Sequence, residues 1–178
     1  GGRPCAVTSP RTPTRLPRLV ATDLDGTLLR SDGTCSERTR LALAAVEQAG
    51  AGVVLVTARP PRWLHELADL VGGHGIVLCG NGAFVYDVRT CQVLEEHCIP
   101  AVVVVQIAED LRKALPGIAF AVESRIGLRL EEEFLSYSTT APYVTAALVE
   151  MLPAPLPGKS PARSKGGPAG RFTRAVGG

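Results

Sequence analysis

The sequence predicts an α/β fold, a parallel Rossmann-like sheet with helices on its faces. Three observations lead there. Continuously apolar runs recur at 18–22, 52–56 and 76–79; helix-like stretches separate them; and each run ends in a cluster of polar residues and glycines. A strand covered on both faces reads as an unbroken apolar run, and strands joined through helices lie parallel by right-handed crossovers. At 178 residues, 46% of them apolar, the chain is long enough to bury a sizeable core.

Each element has a local cause. The first run, RLVAT at 18–22, feeds Asp23, Asp25, Gly26 and Thr27, as a buried strand entering a loop does. Asp32-Gly33 signals a tight turn after Leu28 and Leu29. Ser36 suits a helix N-cap, Glu37 favours the first turn, and the Ala/Leu-rich stretch to Ala49 closes on Gly50. The run GVVLV at 52–56 ends at Thr57. Pro60 and Pro61 suit a helix start, with Trp63, Leu67 and Leu70 predicted on one face and Gly72 and Gly73 as the stop. The third run, 76–79, ends in Gly80, Asn81 and Gly82. Farther on, residues 84–87 and 92–99 flank a polar turn, 100–115 and 145–152 are helix candidates, and 118–123 and 127–133 read as strands.

The ends differ from this body. Residues 1–17 read as a flexible leader, and 153–178 as a disordered basic tail holding eleven Gly or Pro among 26 positions. Although the net charge is only +2, the first 20 and last 26 residues hold nine Lys or Arg and no acid, so the body between them is acidic. A nucleic-acid binder places its cations on a folded face and adds aromatics for stacking; here aromatics are 4%, and that class is excluded. No apolar stretch approaches a membrane span, and the N-terminal residues carry no signal-like apolar block. Five cysteines without C-x-x-C or His spacing argue against structural zinc and a disulfide framework. The cytoplasm is the expected compartment. Oligomeric state is not legible.

In parallel sheets ligands bind beyond the carboxyl ends of the strands, where Asp23 and Asp25, Thr57, and Asn81 all fall. Two carboxylates two residues apart both stay ionised only with a shared cation, and magnesium suits hard oxygen donors. One carboxylate can then attack phosphorus and the other can protonate the leaving oxygen, while the Thr57 hydroxyl and neighbouring amides hold phosphate oxygens. The competing local roles are ordinary ones. Asp23 alone could cap a turn, Arg59 could be solvated at a helix start, and Cys79 reads as a buried apolar filler. A calcium loop is excluded because Gly26 comes too early and a strand precedes it.

The stretches LVATDLDGTLL, VVLVTARP and CGNGAFVYD resemble successive motifs of the haloacid-dehalogenase-like (HAD) superfamily, in its Cof-type branch with a large α/β cap. The resemblance spans residues 18–87. It implies a core at 18–82, of which only the N-terminal part is present, and a partial α+β cap at 83–152. It implies Asp23 as nucleophile, Asp25 as general acid/base, and both as magnesium ligands, Asp25 through its carbonyl. Thr57, Ala58, Arg59, Asn81 and Gly82 become phosphate-binding candidates, with Ala58 standing where the branch usually has Gly. The flap beside the site corresponds to 28–34. Lys165, in SKGG, superficially matches the branch's lysine motif, and no Gly-Asp-x-x-Asn-Asp segment occurs. The expected function is magnesium-dependent hydrolysis of small phosphorylated metabolites through an aspartyl-phosphate, impaired in a chain lacking that segment. The alternative is a non-catalytic phosphate- or magnesium-binding or interaction fragment.

Overall fold

The computed structural model describes residues 17–65, 67, 75–136, 142–152 and 155–164. Strand β1 (Leu19–Asp23) pairs in parallel with β2 (Gly52–Val56), and β2 with β3 (Ile76–Cys79). Helix α1 (Glu37–Gln48) makes the first crossover. Its N-cap is Ser36, whose side chain accepts a hydrogen bond from the Thr39 amide, and Gly50 at φ +83° follows its C-terminus. These parts match the sequence reading.

The second crossover departs from it. Pro61–Trp63 forms a 3-10 turn in place of the start of an α-helix. Leu64 and Leu67 face the core, whereas Trp63 is 55% exposed with the Arg62 guanidinium 4.7 Å from its ring centre. Leu70, Gly72 and Gly73 lie outside the described residues.

After β3 the chain reverses within four residues. Gly80, Asn81 and Gly82 all take positive φ, at 60°, 61° and 91°, which lets Phe84 return directly opposite Cys79. Strand β4 (Phe84–Asp87) is therefore antiparallel to β3, and β5 (Gln92–Glu96) is antiparallel to β4. Sequence reading assigned this hairpin to the cap, with the core ending at 82. The structure instead makes it the last two strands of a five-stranded sheet ordered β1-β2-β3-β4-β5. Phe84 and Tyr86 enter the same buried cluster as Leu55, Val77 and Leu24.

The second layer is a separate sheet, ordered β8-β7-β6-β9. Helix α2 (Ala101–Ala114) buries Val104 and Ala108 against β6 (Ile118–Ser124), and Arg112 and Lys113 in its last turn complement the helix dipole. Strand β7 (Gly127–Leu130) is antiparallel to β6, and β8 (Tyr143–Thr145) is parallel to β7. Short helix α3 (Leu148–Met151) adds Leu148 and Met151 to this second cluster. No helix among the described residues is long and apolar enough to cross a membrane.

The tail reading is corrected in part. Residues 162–164 form β9 (Ala162–Ser164), antiparallel to β6, and the segment before it is tied to both sheets. The Ile99 amide donates to the Pro157 carbonyl at 2.8 Å, the Gly158 amide to Glu123 at 3.0 Å, and Ser160 Oγ to Ala121 at 3.1 Å. At Gly158 a Cβ would stand 2.3 Å from Phe84 Cζ, so the backbone passes where only glycine fits. Strand β6 needs a second neighbour, and this segment supplies it despite its prolines, which suit an edge. The leader at 1–16 and the tail at 165–178 lie outside the described residues.

Candidate active site

The site is built at the carboxyl ends of β1 and β2. In the parallel register Asp23 stands opposite Val56, which places the residue after each strand at the same edge. The Leu24 amide bonds the Val56 carbonyl at 3.2 Å, and the fully buried Leu24 anchors the loop between the two carboxylates. Asp23 Oδ2 accepts from Thr27 Oγ1 at 3.3 Å. Gly26 at φ +76° turns the chain so that the Leu28 and Leu29 amides return to the carbonyls of Asp23 and Leu24. Beyond it the Asp32 carboxylate accepts from the Thr34 amide and hydroxyl, closing the predicted turn and holding its own pKa low.

Thr57 is 2% exposed. Its amide donates to Leu78 and its hydroxyl oxygen accepts from the Arg59 amide at 3.1 Å, so the threonine shapes the turn that carries Ala58 and Arg59. The Asn81 amide reaches the Thr57 carbonyl at 3.4 Å and the Gly80 amide reaches Arg59 at 2.8 Å. Backbone bonds thus bring the third strand end to the second. Asp23, Asp25, Thr57, Ala58, Arg59, Asn81 and Gly82 belong to one neighbourhood. Lys165 lies outside the described residues.

Arg59 has a partner that the sequence did not reveal. Its guanidinium forks the Asp25 carboxylate, Nε to Oδ2 at 3.0 Å and Nη2 to Oδ1 at 2.5 Å. Both carboxylate oxygens of Asp25 accept from Arg59. Among the described residues no group of three or more His, Cys, Asp or Glu side chains converges on a metal position.

A cavity of about 580 Å³ opens over Asp25 and Arg59 and runs between the two sheets to Glu123, Phe134 and Lys159. Arg62 forks Glu123 across this gap, Nε to Oε1 at 2.9 Å and Nη2 to Oε2 at 2.9 Å. Sequence reasoning missed Arg62, Glu123, Phe134 and Lys159. A charge inside the apolar run IAFAVES was the available signal for Glu123; Lys159 had none.

Cys79 has no neighbouring base to activate it. Burial pushes its thiol up to about 12, which fits a packed filler. The four described cysteines are all free thiols.

Strand-end carboxylates, a hydroxyl-bearing turn beside them and a cavity running on to a second sheet define an α/β protein with its candidate site between two sheets. Residues 20–145 match the haloacid dehalogenase-like hydrolase family, and the chain belongs to it. It is 32% identical over 96 residues to pyridoxal phosphate phosphatase YbhA of Escherichia coli, covering 54% of this chain and 35% of that protein. It is 33% identical over 70 residues to the 5-amino-6-(5-phospho-D-ribitylamino)uracil phosphatase YcsE of Bacillus subtilis, covering 39% and 28%. The chain thus spans about a third of the length of these relatives. Among solved structures, a haloacid dehalogenase-like hydrolase from Bacteroides thetaiotaomicron shares the fold, with a TM-score of 0.63 and 21% identity over 91% of this chain and 62% of that one.

Proposed function

We propose that the protein is a magnesium-dependent phosphatase of small phosphorylated metabolites, acting through an aspartyl-phosphate. The observation that carries this is the placement of Asp23 and Asp25 beside the Thr57 turn, with Asp25, Ala58 and Arg59 lining a cavity large enough for a small organic phosphate. Asp23 supplies the attacking carboxylate oxygen: its bond to phosphorus forms as the ester P–O bond breaks, and Asp25 gives the departing oxygen a proton. Water then attacks the phosphorus, the acyl-phosphate bond breaks, and Asp25 takes the proton back. In this reading turn amides and the Arg59 guanidinium offset the charge of the phosphoryl oxygens.

The Asp23 carboxylate and the Asp25 carbonyl would hold magnesium; both are hard oxygen donors, and so few protein ligands suit an ion that keeps several waters. When bound, magnesium neutralises phosphate charge. Arg59 has two anions to serve, Asp25 and the phosphate, and binding substrate requires it to loosen its fork on Asp25 before that carboxyl can carry a proton.

The relatives' activities support this reading at the level of phosphatase, on their own phosphate esters. The same fork is the observation that favours a second reading, a site that binds phosphate without turning it over. The test is phosphate release from para-nitrophenyl phosphate with magnesium, together with intact-mass detection of a phosphoryl adduct after acid quench. Asp23→Asn is expected to remove the adduct and lower turnover at least about a thousandfold with the fold intact. Activity that survives Asp23→Asn overturns the nucleophile assignment. Phosphate binding without adduct or release favours the second reading.

A further inference from the structure

The cavity between the sheets holds three charged side chains that the proposed chemistry does not use, Arg62, Glu123 and Lys159. Among the described residues five charged side chains line it, and four are paired within it, Arg59 with Asp25 and Arg62 with Glu123. Lys159 is the lining cation without a carboxylate partner among the described residues. We propose that this cavity receives the organic part of the substrate and selects phosphomonoesters of a compact aromatic or heteroaromatic ring bearing a second anionic group, which Lys159 recognises. This rests on the phosphatase reading above and deepens it.

The walls favour a flat apolar body. Trp63, Leu128, Phe134 and Pro161 surround the space, and guanidinium groups hold both aromatic rings from one side: Arg62 lies 4.7 Å from the Trp63 centroid and Arg163 4.9 Å from that of Phe134. A volume of about 580 Å³ lies in the range of small-molecule sites. A sugar or polyol phosphate would have to give up water for these apolar walls.

The Lys159 backbone is also fixed in place. Its amide donates to the Glu123 carbonyl at 3.2 Å, its carbonyl accepts from the Glu123 amide at 2.8 Å, and Gly158 before it is pressed on Phe84. The backbone that carries the side chain is tied to β6, so only the side chain itself is left to order on binding. Half-buried beside apolar walls, it attracts an anion more strongly than it would in water.

The experiment measures binding, so it does not depend on turnover. The 178-residue chain is titrated calorimetrically, with magnesium, against three phosphonates that cannot be hydrolysed: para-carboxybenzylphosphonate, benzylphosphonate and hydroxypropylphosphonate. Affinity is expected to fall in that order, with the carboxylate worth about tenfold. Lys159→Met is expected to erase the carboxylate preference, so that the two aromatic phosphonates bind alike, while Lys159→Arg keeps it. Phe134→Ala is expected to bring benzylphosphonate down to the aliphatic probe. Equal binding of the three probes, binding of none, or a carboxylate preference that survives Lys159→Met overturns the proposal. Hydrolysis of para-nitrophenyl phosphate without discrimination among the phosphonates sinks this proposal alone. Discrimination without hydrolysis or adduct supports the pocket and sinks the phosphatase reading instead.

Discussion

Arg62 and Glu123 are 61 residues apart and join the two sheets, one from the turn after β2 and the other from β6. The Glu123 side chain is 5% exposed and Arg62 19%, and three N–H to carboxylate contacts of 2.9, 3.2 and 2.9 Å link them. The perturbation is Arg62→Met, which keeps the apolar stem and removes the cation. Stripping one partner from a buried pair costs about 3–5 kcal/mol because the remaining charge is left desolvated, and the partial exposure of Arg62 puts the expected value near about 3. That is a fall in Tm of about 6–12 °C for a protein of this size. The double variant Arg62→Met with Glu123→Leu is expected to recover to within about 1 kcal/mol of the native chain, since the cost lies in the orphaned carboxylate and not in a lost net attraction. Urea denaturation of the four proteins completes the cycle. A single-variant cost below about 0.5 kcal/mol, the value of an exposed pair, would refute the reasoning.

Three further outcomes are expected. Gly158→Ala, which drives a methyl into Phe84, should release the 155–164 segment; hydrogen exchange at the β9 amides should accelerate while the β2 and β3 amides keep their protection. Thr57→Val removes the acceptor of the Arg59 amide and should cost about 1–2 kcal/mol in urea denaturation, with Thr57→Ser restoring most of it. Burial raises the Cys79 thiol from 9.0 to about 12, so the folded state holds that proton more tightly than the unfolded chain. The associated stability is complete below pH 9.0 and is lost as pH rises from there toward about 12. Cys79→Ala should therefore lose less stability than the native chain between neutral pH and about pH 10, measured by denaturant midpoints.

What the sequence determined by itself is what short-range chemistry determines. An unbroken apolar run followed by Asp23 and Asp25 is a buried strand delivering carboxylates to its end, whatever surrounds it. Ser36 and Gly50 bound a helix through hydrogen bonds and a left-handed φ within a turn of themselves, and the 100–115 reading became Ala101–Ala114, with Pro100 at its start and Gly117 at φ +85° beyond its end. The parallel order β1-β2-β3 also followed, because right-handed crossovers leave few alternatives, and with it came the convergence of Asp23, Thr57 and Asn81.

The tertiary structure decided whatever depends on a distant partner. Gly80-Asn81-Gly82 flanked by apolar runs could have been read as a hairpin, but that β4 joins the core sheet depends on the free edge of β3. The 155–164 segment looked disordered because composition registers prolines and glycines; the open edge of β6, some forty residues upstream, supplies the hydrogen bonds that order it. The Arg59–Asp25 fork spans 34 residues and the Arg62–Glu123 fork 61. A charge carries no local mark of its partner, since in an extended chain water solvates it equally well anywhere. Only folding, which removes that water, selects the carboxylate each arginine meets and leaves Lys159 lining the cavity without one among the described residues.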